Sequence, residues 1–353
     1  MQQFDVAIVG LGPAGATLAR LLSPALTVLA VDRKAPQGES AFEKPCGGLL
    51  SPDAQRCMAQ LGLTIPLDIL VSPQIFAVRT LDLNTTLQRH YQRCYLNLDR
   101  LRFDQWLMSL IPPKVEVLAP ARCLAVKRES AGYTLQVECR GQLRQYHSRM
   151  VVGADGARSL VRRTFYPQAK LASYVAIQQH FDAASAEPCY LCIFDKELSD
   201  CYMWGLTKNN TFILGGAFSP SMGKSGLGLL KERLKPYGFD LGEPVRTEAC
   251  AVLRPSSPYC CVTERQGALL VGEAAGFISP SSLEGLSFAL KSALALSEAI
   301  NLGGDIAFNY ARSALALRLK LLGKILKQPF IFNPYLRYAV MACGVGSITL
   351  RQG

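Results

Sequence analysis

Two apolar runs near the start of the chain, residues 4–9 (FDVAIV) and 26–31 (LTVLAV), are each long enough for a buried parallel strand. Between them ATLARLL has the apolar spacing of a helix, so the pattern predicts a strand–turn–helix–strand unit. Farther on the pattern becomes strand-like, first over 74–97 and again over 174–218. A helix opening at Asp99 and ending before Pro112-Pro113 separates these blocks, followed by short strands over 115–119, 121–129 and 133–140. A strand ending at Val152 and another over 268–272 return to the first type, and a long helix is predicted over 286–300. The fold class that follows is α/β: a Rossmann-like domain, an inserted antiparallel β-sheet domain and a helical C-terminal tail. The expected partition is 1–70, 97–170 and 250–304 for the first domain, 71–96 and 171–249 for the sheet, and 305–353 for the tail.

Composition changes this picture little. At 353 residues, 49% apolar and 18% charged, the chain can bury a large core and is not disordered. No apolar stretch reaches the roughly 18 residues of a membrane span, and no basic stretch precedes the first apolar run. A cytoplasmic location is expected, with the twelve cysteines as free thiols. Cys189 and Cys192 form a CxxC inside a strand, and His90, His147 and His180 lie far apart, so no metal site is expected. The net charge of +11 favours acidic ligands or anionic surfaces, and nothing resembles a nucleic-acid module.

Chemistry concentrates in three turns. The first, Gly10-Leu-Gly12-Pro13-Ala14-Gly15, joins the opening strand to its helix, and Asp32 stands at the tip of the second strand. Gly10 allows the tight turn, Gly12 lets backbone approach a pyrophosphate, and Gly15 lets the helix pack closely. Asp32 can accept hydrogen bonds from a ribose, and Arg33 follows it. The second turn, Gly153-Ala-Asp155-Gly156, ends a strand with one acid among small residues. The third, Gly272-Glu273-Ala-Ala275-Gly276, leads through Pro280 and Gly285 to the N-terminus of the long helix, which favours an anionic or electron-rich ligand atom. A loop with Cys46-Gly47-Gly48 lets backbone approach a planar ligand, or is a plain loop carrying an incidental thiol.

Together these three turns resemble the FAD-binding signature of the para-hydroxybenzoate-hydroxylase-like flavoproteins. Within that group, Lys44-Pro-Cys46-Gly47-Gly48 and Tyr202-Met-Trp204 followed by Lys208 resemble geranylgeranyl reductases. The resemblance implies FAD as cofactor, with Pro13-Ala14 leaning towards FAD over NAD, and NAD(P)H as a transient reductant. It implies cofactor contacts from the three turns, Cys46 and Arg100, and substrate-side or catalytic roles for Cys46, Tyr202 and Trp204. For Cys46 a proton donor, a covalent flavin link and packing all remain open. Two departures stand out: Glu273 occupies a position the family gives to Asp, and Leu206-Thr207 replaces a Phe-Pro of the substrate-side motif.

The implied activity is hydride transfer from NAD(P)H through flavin to a carbon–carbon double bond of an apolar, isoprenoid or lipid substrate. A monooxygenase of the same fold and a non-enzymatic flavin- or lipid-binding protein are the alternatives. After Asp305 come seven Lys and Arg and no acid, with apolar residues at helical spacing between them. This basic amphipathic segment leads to an expectation of peripheral contact with an anionic membrane through residues 312–337.

Overall fold

The computed structural model describes residues 3–39, 44–169, 171–182, 190–265 and 267–350. The opening strand Gln3–Val9 lies between Val28–Val31 and the end of the long strand Gln142–Gly153, parallel to both. Glu116–Leu118 and Ala268–Leu270 extend the parallel core on either side. Val6, Ile8, Leu29, Val151 and Leu270 are wholly buried, as continuous apolar runs covered on both faces must be. The first half of Gln142–Gly153 pairs instead with Gly132–Cys139, which pairs with Ala121–Glu129, forming an antiparallel meander.

The second sheet runs in the order 246–254, 172–182, 211–218, 203–208, 190–194, 75–82, 87–97 and 347–348. Its pairings are antiparallel except for Tyr190–Phe194 against Ile75–Asp82, which is parallel. Helix Gly223–Leu234 covers one face through Leu227, Leu230 and Leu234, packed with Met203, Phe212 and Leu214. The other face carries Tyr190, Tyr202, Trp204 and Leu206. The expected boundary at residue 250 falls inside the strand Arg246–Arg254, which belongs wholly to this sheet. Cys189 lies outside the described residues, so the CxxC pair has no structural account.

The tail is a strap across both sheets rather than a segment standing apart. Helices Ile306–Ser313, Leu315–Leu326, Gln328–Phe332 and Pro334–Ala342 follow in succession. Tyr310, fully buried, donates its hydroxyl to the Leu270 carbonyl in the first layer. Arg337 then forms a buried two-pronged ion pair with Asp82 in the second, and Ser347–Ile348 pairs with the edge strand at His90 and Tyr91.

Candidate FAD and substrate site

The first helix begins at Pro13 with Gly12 as a cap that contributes no side-chain hydrogen bond, so the first-turn N–H groups lack a side-chain acceptor. Gly10 has φ +98°, and a Cβ there would come within 2.6 Å of the Ala154 carbonyl oxygen. A Cβ on Gly12 would meet nothing within 4 Å. The turn is therefore clamped at Gly10 and open at Gly12. Asp32 holds it from the side, accepting from the backbone N–H of Leu11 and, at 2.6 Å, of Lys34.

Asp155 sits beneath the same turn. One of its oxygens accepts from the Leu160 N–H at 2.6 Å, while the other is buried without a partner. Burial pushes its carboxyl pKa up, against the opposing pull of Ser159 and the Leu160 N–H. An orphaned acceptor, an uncapped helix start and space at Gly12 suit a ligand with hydroxyl donors and a pyrophosphate.

These groups border one cavity of about 1210 Å³. That exceeds the roughly 300–1,000 Å³ typical of a single small-ligand pocket. Of the residues expected to touch the cofactor, Gly10, Gly12, Pro13, Ala14, Asp32 and Arg33 line it. So do Cys46, Gly47, Gly48, Arg100, Asp155, Gly156, Glu273 and Gly285. Gly15, Gly272, Ala275, Gly276 and Pro280 do not; they stand behind the wall. A Cβ on Gly15 would collide with the Gly10 carbonyl, and Gly272, at φ +57°, packs against Ala14. The Pro280 carbonyl accepts from Arg254 and Gln328.

Glu273 is fully engaged. One oxygen pairs with Lys44 Nζ at 2.6 Å and the other accepts from the Leu253 N–H at 2.9 Å, on the edge strand of the second sheet. Burial works against the Lys44 charge, but Glu273 outweighs it and the lysine pKa is raised. Arg100 is held by Asp104 at 2.7 Å, which also pairs with buried Lys34 at 2.6 Å; Asp104 and then the neighbouring Cys46 hold the arginine pKa up against its burial. The Gly48 N–H donates to the Cys46 sulfur at 3.4 Å. Lys208 lies under this loop, donating to Asn97 and to the Leu98 carbonyl, and burial lowers its pKa to about 8.

Facing the loop, Tyr202 and Trp204 line the cavity with Tyr95 and Tyr190. The Tyr202 hydroxyl donates to the Ser282 carbonyl, while the Trp204 indole N–H is buried without an acceptor. Trp204 lies flat against Gly215, where a Cβ would come within 2.6 Å of the ring. Tyr95, Tyr190 and Asp104 were not foreseen, although Asp104 stands four residues after Arg100, the spacing of a helical ion pair.

The sequence matches the family described as FAD binding domain over residues 3–189. The chain belongs to this FAD-binding family. It is 46% identical over 349 residues to protein CbrA of Escherichia coli (strain UTI89), a match covering 99% of this chain and 95% of that one. Its fold is similar to a geranylgeranyl bacteriochlorophyll reductase-like protein of Thermoplasma acidophilum, with TM-score 0.79 and 19% identity over 93% of this chain and 87% of that one. It is also similar to PqsL, a probable FAD-dependent monooxygenase of Pseudomonas aeruginosa, with TM-score 0.69 and 18% identity over 97% and 100% of the two chains. At these identities the solved structures speak for the fold alone.

The basic tail departs from expectation. Lys320 and Lys324 are half-buried at the cavity instead of facing outward, and Lys327, which is exposed, borders it too. Arg318 donates to the Cys261 carbonyl and Arg337 is buried against Asp82. The reason is helical geometry: Leu317 and Leu321 anchor the helix to the core and turn the neighbouring lysine row inward. Leu315, Leu319, Leu322 and Leu326, on the opposite side, are exposed.

Proposed function

We propose that the chain is an FAD-dependent reductase taking hydride from NAD(P)H and delivering it to a carbon–carbon double bond of an apolar, isoprenoid or lipid substrate. One observation carries this reading: a single cavity has a dinucleotide-type turn in one wall and an aromatic sheet face in another. Bound FAD supplies the hydride relay between nicotinamide and substrate carbon. The protein does the rest. Gly12 and the first helix receive the pyrophosphate, and Asp32 receives the ribose. Tyr95, Tyr190 and Trp204 offer a flat apolar wall that excludes water from the double bond. Cys46, with the Gly48 N–H fixing its sulfur, provides the proton for the carbon that does not take hydride.

Peripheral contact with a bilayer belongs to the same reading and is supported by the outer side of the tail. The exposed row Leu315, Leu319, Leu322 and Leu326 continues into Phe330, Tyr335 and Leu336, and an apolar surface of this kind favours a lipid interface. The cations that were to meet anionic headgroups mostly point elsewhere.

The test is anaerobic. Purified protein should carry FAD that NADPH or NADH bleaches, and a polyprenyl alkene should restore the oxidised spectrum without oxygen. Reoxidation by oxygen and an aromatic substrate, with none by the alkene, would instead make the protein a monooxygenase.

A further inference from the structure

Two neighbouring strands of the second sheet, Met203–Lys208 and Thr211–Phe218, carry Gly205, Gly215 and Gly216. Side chains alternate between the two faces of a sheet, so these glycines do not all serve the same side. A Cβ on Gly205 would run into Leu191 and Phe212, and one on Gly216 into Met203 and Phe218, all in the core under the helix Gly223–Leu234. Gly215 faces the cavity instead. It pairs with Trp204 on one side and Gln178 on the other, and both of these line the cavity. Where a side chain at 215 would stand, the indole of Trp204 lies on bare backbone. A Cβ there would come within 2.6 Å of ring atoms Cε2 and Nε1 and 2.8 Å of Cζ2.

Hydrogen bonding does not account for this pose, because the indole N–H is buried without an acceptor among the described residues. Shape does account for it: the missing side chain leaves a bay as thick as the ring, and a strand glycine often marks such a close approach. Tyr202 stands edge-on beside the indole at 6.3 Å, and the space open to the ring is the cavity. Carbon atoms in contact sit about 3.5–4.0 Å apart, so even a methyl group at 215 must lift the indole by about 1 Å into that space. We infer that Gly215 is a specificity-determining residue that sets the width of the cavity at its aromatic wall. By letting Trp204 lie flat, it admits apolar ligands of broad cross-section as readily as narrow ones. The inference rests on the reading of the cavity as the site of an apolar substrate, and it adds the limit on that molecule's thickness.

Titration calorimetry of FAD-loaded protein with 1-octanol and cyclooctanol, equal in carbon number but unequal in width, tests this. The wild type should bind the two within about threefold of each other. Gly215→Ala should weaken cyclooctanol by about tenfold or more while 1-octanol changes by less than about threefold and FAD content stays the same. Adding Trp204→Leu should restore cyclooctanol, because the ring that the methyl group lifts is gone. If Gly215→Ala does not fold, Trp204→Leu alone must shift the preference towards cyclooctanol, and a preference left unmoved would overturn the inference. A wild type that rejects the ring, equal losses for both alcohols in Gly215→Ala, no loss for either, or a loss that Trp204→Leu does not restore would overturn it too. Wild-type protein that binds neither alcohol would overturn the apolar reading and this inference with it; every other failure falls on Gly215 and leaves that reading standing.

Discussion

Lys44 Nζ lies 2.6 Å from Glu273 Oε2 and joins the loop before Cys46 to the turn where the flavoprotein family usually carries Asp. The extra methylene of Glu lets the carboxylate span from Lys44 to the Leu253 N–H of the second sheet. Glu273→Leu should lower stability by about 1–3 kcal/mol, discounted from a fully buried pair because Lys44 is partly exposed. Adding Lys44→Met should recover part of that loss, which thermal unfolding of both single variants and the double would measure. Strictly additive losses would show that the two side chains do not depend on each other.

Gly10 and Gly12 should behave oppositely. Gly12→Ala adds a methyl group into open space, so the apoprotein should keep its melting temperature while FAD affinity falls by about tenfold or more. Gly10→Ala drives a Cβ into the Ala154 backbone at a positive φ and should destabilise the fold itself. Flavin titration beside calorimetry separates the two effects.

Asp32→Ala removes the acceptor of the Leu11 and Lys34 N–H groups as well as the proposed ribose contact. Each net hydrogen bond is worth about 0.5–1.5 kcal/mol, so FAD affinity should drop by about ten- to a hundredfold. Retention of stoichiometric flavin through dialysis would contradict it.

Lys208 should give stability an alkaline dependence. Its folded pKa of about 8 lies below the ordinary lysine value, so the unfolded chain binds more protons between the two. The sign is that this lysine's burial penalty is fully present below pH 8 and is relieved as pH rises towards about 10.4. Wild-type stability should therefore gain up to about 3 kcal/mol from this residue across that window, and Lys208→Met should lose that slope. Identical pH profiles in chemical denaturation would refute the assignment.

The exposed leucine row predicts vesicle binding that depends little on salt, because most of the tail's cations face inward. Leu319→Asp with Leu326→Asp should release the protein, each leucine giving up about 1.5 kcal/mol or more of buried apolar surface. Co-sedimentation with vesicles at low and high salt reads both claims.

The parallel core and its three turns were legible because short-range pattern determines them: continuous apolar strands, glycines at forced approaches and acids at strand ends. The aromatic wall was half legible. Trp204 lies on the strand Met203–Lys208 with Tyr202 just before it, two residues apart, but Tyr95 and Tyr190 reach the same place only through strand pairings distant in sequence. The tail misled for a different reason. Spacing shows that Lys320, Lys324 and Lys327 share a helix face, yet which way that face turns depends on where Leu317 and Leu321 find the core. Glu273 likewise read as a longer Asp until its partners, Lys44 and Leu253, were known.

The strap also carries a consequence for biogenesis. The cavity wall draws on Gly10 near one end of the chain and on Lys327 far along it, so a nascent chain lacking its last helices presents an unfinished pocket. The complete enclosure forms only after the tail has docked across both sheets.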